Sequence, residues 1–188
     1  MKLKLFCVAL MTLFATTFVS AQNEFGKGDM ALNINYGMGD FDFDDSNVFQ
    51  HSLGASLEYG ILDGIIKGKG TVAVGGQVGF GFGSKTEDGV DINCTRFRIA
   101  TRGVFHYQFI PQLDTYAGIT LGIVDIDKAE LDFSDYGLEE KPEEKETRFV
   151  GPVAFAGARY MFSDSFGLNV ELSWDSFAMV GLGVTFKL

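Results

Sequence analysis

Four arginines, Arg96, Arg98, Arg102 and Arg159, fall on the same alternating face as Glu58, Glu171 and Asp175, with Lys187 on the matching face near the C-terminus. Two roles are open to such a set. Charges of both signs can line an ion path, or they can pair and fill an enclosed space, because a buried charge without a partner is strongly destabilising. Filling is the expected role, and Arg159 with Glu171, on neighbouring segments across a tight turn, is the expected pair. His51 and Ser52 raise the question of nucleophilic catalysis, which needs a His within reach of the hydroxyl. Their adjacency argues against it, since neighbours in an extended chain point to opposite faces. His106 has no Ser two residues away. Asp40, Asp42, Asp44 and Asp45 begin like a calcium loop, but Asp45 stands where that pattern needs Gly and His51 where it needs Glu. A solvated acidic loop is expected there, with weak divalent-cation binding as the alternative. Gly79, Gly81 and Gly83 alternate with Phe80 and Phe82, and no helix follows them, so a phosphate cradle is excluded. The residues imply no catalytic group, cofactor or metal.

The elements that must position these side chains are strands. In segment after segment between Asp29 and Leu188 every second residue is apolar while those between are mostly Gly or polar, as in Met30, Leu32, Ile34 and Tyr36 against Ala31, Asn33, Asn35 and Gly37. A period of two means extended chain with one greasy face. Eight such segments are expected, at 29–38, 51–61, 71–83, 94–109, 113–124, 148–162, 166–175 and 177–188. Most exceed ordinary strand length and match the roughly 9–11 tilted residues that cross a bilayer. Residues 1–21 read as a cleaved export signal: Lys2 and Lys4, an apolar run from Leu5 to Val19, then Val19-Ser20-Ala21. Residues 22–28 then form a short periplasmic segment before a single domain at 29–188. Cys94 is the one cysteine of the mature chain, so no internal disulfide supports it and no role is expected for a lone thiol. Losing Lys2 and Lys4 takes the formal charge from −10 to −12. Such a chain is a poor nucleic-acid binder.

Alternation does not say which face points inward. A soluble barrel has the greasy face inside and a membrane barrel has it outside. The charged face is rich in Gly, which weakens a water-facing strand but makes room for large side chains in a narrow interior. Aromatic residues gather at segment ends: Tyr59, Tyr107, Phe109, Tyr160, Phe162 and Phe186 at one level, Tyr36, Phe97 and Trp174 at the other. Two such belts suit the two membrane interfaces. Long acidic connections at 39–50, 84–93 and 125–147 alternate with tight ones, as in outer-membrane barrels. The expected fold is all-β: an eight-stranded antiparallel up-and-down transmembrane barrel with a polar, side-chain-filled lumen.

The stretch Gly157-Ala158-Arg159-Tyr160-Met161-Phe162-Ser163-Asp164-Ser165-Phe166-Gly167-Leu168, with Glu171 following, resembles a hairpin of the small outer-membrane β-barrel family of the OmpX/OmpA transmembrane type, in the variety common in Bacteroidota. The ending Gly181-Leu182-Gly183-Val184-Thr185-Phe186-Lys187-Leu188 is similar to that family's assembly signal, carried by Gly181, Val184, Phe186 and Leu188, though it closes on Leu188 and not an aromatic. The resemblance implies residence in the bacterial outer membrane, contact with membrane lipid and lipopolysaccharide, insertion by the barrel assembly machinery, and a monomer. A non-enzymatic structural or surface-interaction role is expected, in envelope integrity or adhesion, with an extracellular partner at the acidic loops 39–50, 84–93 and 125–147. The alternatives are a narrow porin-like channel and a lipid A-modifying enzyme.

Overall fold

Large apolar side chains on alternate residues need a partner surface, and in the computed structural model they find it outside the protein. The structure describes residues 25–43, 46–87, 90–132, 139–140, 144–174 and 177–188. Eight long strands form one ring: β1 (Met30–Phe43), β2 (Ser46–Gly64), β3 (Gly70–Glu87), β4 (Val90–Ile110), β5 (Leu113–Asp132), β7 (Glu144–Met161), β8 (Phe166–Ser173) and β9 (Val180–Lys187). A two-residue strand, β6 (Glu139–Glu140), pairs with the far end of β5. Every strand pair is antiparallel; β4 pairs with both β3 and β5, and β1 with both β2 and β9, so no edge remains around the barrel body.

The register keeps the two faces apart. Leu32 stands opposite Leu57 on β2 and Phe186 on β9, while Asn33 stands opposite Ser56 and Thr185. Burial inverts the usual order: Glu58 is 0% exposed, whereas Leu182 is 56% exposed. A chain in water would gain about 25 cal/mol per Å² by hiding such apolar surface. A wall with its leucines outside and its glutamate inside is therefore a wall made for lipid.

Each of the eight expected segments holds a strand, and several bounds need correction; the seventh, expected to run to 175, is a strand only to Ser173. The eighth was expected from residue 177, but β9 starts at Val180, and Phe177 turns inward. The stretches 39–50, 84–93 and 125–147 were expected as loops, yet most of each continues the ladder. Gly39 pairs with Gln50, Ser84 with Asn93 and Asp125 with Thr147, and pairing runs on to Phe43–Ser46, Glu87–Val90 and Lys128–Glu144. The physical reason is visible in the residues. Phe41, Phe43, Val48, Val90, Ile92 and Ile126 keep the two-residue period between the acids, and charged side chains on a solvated strand do not stop it pairing.

Candidate functional site

The lumen gathers the charged side chains. Glu58 on β2 lies between two arginines: its Oε2 is 2.6 Å from Arg159 Nη2 and its Oε1 is 3.0 Å from Arg102 Nη2. Arg102 also donates to both oxygens of Glu171, at 3.2 and 2.8 Å, and to Gln77 at 2.9 Å. Arg159 Nε is 2.9 Å from Asp114, whose Oδ2 also lies 2.9 Å from His106 Nδ1. Arg159 and Glu171, expected to pair with each other, each take a different partner. Register explains it: Arg159 stands opposite Asn169, and Glu171 opposite Gly157, so the two are offset along the wall and both reach across it. Asp114 was not among the expected residues; it shares the phase of Tyr116 and Thr120 at the start of β5, which is the signal that identifies it.

Arg96 and Arg98 sit nearer the loop end, buried like the others. Arg96 donates to Gln50 at 3.2 Å and Arg98 to Thr120 at 2.9 Å. Lys187 lies at the opposite mouth, half-buried, 2.8 Å from Asp29 and away from the central cluster. Asp175 lies outside the described residues.

Sequence reasoning missed the aromatic half of this interior. Tyr116, Phe155, Phe177 and Phe25 are buried, and the arginines stack on them. The Arg102 guanidinium lies 4.1 Å from the Phe155 ring centre, and Arg159 lies 5.0 Å from Tyr116 and 5.2 Å from Phe25. Arg96 and Arg98 lie 5.3 and 5.4 Å from Phe177. Cation–π contact of this kind stabilises a desolvated guanidinium. The lumen glycines were expected to make room for charges, and several make room for rings instead. A Cβ on Gly157 would stand 2.5 Å from the Tyr116 ring, on Gly118 2.7 Å from Phe155, and on Gly79 2.7 Å from Phe177.

Between Phe177 and the Arg102–Glu171 pair lies a cavity of about 70 Å³ lined by Asn35, Ser52, Ser56, Gln77, Arg98 and Thr120 among others. That is room for a few waters. A polar relay also crosses the seam between first and last strands. Asn33 donates to Ser56 at 3.0 Å, Thr185 to Asn33 at 2.7 Å and Asn169 to Thr185 at 2.9 Å.

On the outer wall, Tyr36, Tyr59, Phe97, Phe109, Tyr160, Trp174 and Phe186 are exposed, and Tyr107 and Phe162 are partly covered by neighbouring rings. One chain of rings runs Tyr160–Phe162–Phe166–Phe186 with centres 5.3, 6.3 and 5.5 Å apart. At the loop end His51 sits among Tyr36, Phe49 and Phe82 and hydrogen-bonds the Tyr36 hydroxyl, while Ser52 is buried in the lumen. The two residues face opposite sides of the wall and cannot act on one group. Val184 and Phe186 share the outer face of β9, Leu188 follows the strand and is exposed, and Gly181 faces the lumen. Among the described residues no cluster of His, Cys, Asp and Glu forms a metal site. The side chains of 41–48, which include most of the calcium-like acids, lie outside the described residues.

The rim at the loop end is uneven. β7 has β5 beside it from Tyr160 to Glu144, but β8 beside it only from Met161 to Phe155, with Trp174 N–H adding one bond to the Ala154 carbonyl at 3.0 Å. Along 144–153, β7 has no second strand among the described residues. On β1, pairing with β9 likewise stops at Met38–Val180. The short β8–β9 hairpin thus leaves a notch in the wall.

A model of the family described as outer membrane protein beta-barrel domain matches residues 6–173. No curated protein sequence matches the chain. Among solved structures, Ail, the attachment invasion locus protein of Yersinia pestis, in complex with the heparin analogue sucrose octasulfate, is similar over 86% of this chain and 99% of its own, at 13% identity and a TM-score of 0.55. A second structure of Ail has 11% identity, the same coverage of both chains and a TM-score of 0.51. At such identities the likeness is one of fold.

Proposed function

The chain belongs to the outer membrane protein β-barrel family and resides in the bacterial outer membrane, and from that premise we propose that it is a non-enzymatic barrel that binds an external partner at the notch in its rim. The observation that carries this reading is the open strand edge at 144–153 of β7. A strand edge presents alternate backbone donors and acceptors, and an extended segment can add to it as a further strand. With the termini and tight turns on the periplasmic side, this edge faces outward from the cell.

Charge narrows the partner. Ail has been seen with a polysulfated heparin analogue, but this chain carries −10, or −12 without Lys2 and Lys4, and repels polyanions. A neutral or basic extended polypeptide fits its field. A solute channel is disfavoured by the rings and ion pairs that fill the lumen. Contact with lipopolysaccharide and insertion by the barrel assembly machinery complete the proposal.

The test cuts the open edge of β7 back from 144–153 to 148–153 and keeps the barrel. Val124 stands opposite Arg148, so a two-residue turn replacing 125–147 preserves register. Cells displaying the trimmed protein should lose adherence to immobilised basic extracellular proteins while the protein keeps its heat-dependent gel shift. Equal adherence by both forms counts against the proposal, and single-channel steps from the parent protein in planar bilayers would favour the channel instead.

A further inference from the structure

The mouth opposite the notch is closed by the residues that lead into β1. Phe25 is 8% exposed, with its ring 4.4 Å from the ring of His106 and 5.2 Å from the Arg159 guanidinium. Its carbonyl accepts a hydrogen bond from the Thr71 hydroxyl at 2.8 Å, so backbone and side chain are both held. The residues that follow are seated as closely. Gly26 N–H donates to Asp29 Oδ2 at 2.9 Å, Lys27 N–H to Asp63 Oδ2 at 3.3 Å, and Gly28 N–H to the Gly60 carbonyl at 2.8 Å. Gly28 has φ of +93°, which a side chain rarely adopts, and this lets the chain turn from the mouth into β1. Across from it, Gly60 of β2 leaves space for the segment, since a Cβ there would overlap the Gly26 carbonyl oxygen.

We infer that residues 25–28 are a plug for the periplasmic mouth, docked in a site built by Gly60, Asp63 and Thr71. Its function is to keep periplasmic water and solutes from the cluster of His106, Asp114, Arg159 and Glu58. The loop end is sealed separately: Phe177 stacks on Arg96 and Arg98, and its carbonyl accepts from Gln50 at 2.7 Å. The charged layer is thus held between two aromatic stoppers, one from each end of the chain. Phe25 reaches inward from the N-terminal side of β1, and Phe177 from the loop before β9. The docked segment is short and held by few bonds, so it can open without unfolding the wall.

Histidine modification reads the plug directly. The chain has two histidines, so in a His51→Gln background diethyl pyrocarbonate reports on His106 alone. With the segment docked, His106 should stay protected in the folded mature protein. Phe25→Ala removes the stopper, and Gly60→Ala expels the segment by its added methyl without altering Phe25. In either variant the modification should run roughly tenfold faster or more, while heat-dependent gel migration shows that the barrel is intact. Phe25→Leu, which keeps an apolar stopper, should stay protected. If Phe25→Ala keeps its gel shift and His106 remains protected, the plug is overturned. If that variant fails to fold, protected His106 in folded Gly60→Ala overturns it equally.

Discussion

Glu58 is the residue on which the interior turns, because two guanidiniums converge on its two oxygens. Glu58→Ala should leave Arg102 and Arg159 short of charge in a buried space and cost about 3–5 kcal/mol, read as a fall in the unfolding midpoint in detergent. Glu171 is partly exposed, and Arg102 keeps Glu58 when Glu171 is lost. Glu171→Ala should therefore cost less, about 1–3 kcal/mol; equal losses would show that Glu171 carries as much of the network as Glu58. Gly157→Val should be destabilising and at least partly restored by Tyr116→Leu, since the added side chain enters the space of the Tyr116 ring. The arginines, Glu58 and Glu171 were legible because they share one alternating face. Their pairings were not, because Arg159 and Glu58 are 101 residues apart and meet only once the ring has closed. Phe155 was readable from its phase with Gly157 and Arg159, but most aromatic residues on the other strands face lipid, and type alone pointed the wrong way.

Strand existence and phase were written in the two-residue period, whereas strand ends were not. Composition marked 39–50, 84–93 and 125–147 as acidic and therefore as loops. Backbone pairing, which does not need an apolar face, carried the hairpins on through them. The reverse error fell at 177–179, where apolar residues continued the pattern but Phe177 was drawn into the lumen by Arg96, Arg98 and the space over Gly79. The β8–β9 hairpin is accordingly short because its loop serves as a stopper. Phe177→Ala should remove a ring packed on two guanidiniums and cost about 3–5 kcal/mol, with the ladder of β8 and β9 preserved in amide exchange. Loss of protection along both strands in that variant would mean that the loop holds the hairpin together instead.

For the whole molecule, stability comes from closure and from an interior of ion pairs, rings and hydrogen bonds, with lipid in place of a core partner. Cys94 is buried, and the other cysteine, Cys7, falls in the expected export signal, so thiol reduction should leave unfolding midpoint and gel migration unchanged. A shift on reduction would point to an intermolecular bond. The seam between β1 and β9 sets the order in which the molecule can come into being. Thr185 donates to Asn33 across 152 residues of sequence, and that bond joins the last strand made to the first. Contacts this distant close late and slowly. Until they form, two strand edges stand bare, and the nascent wall is a sheet that any neighbour can extend. The cell must therefore deliver the whole chain before any part of it is safe. Loss of the last eight residues would cost the ring as a whole, far more than one strand's share of it.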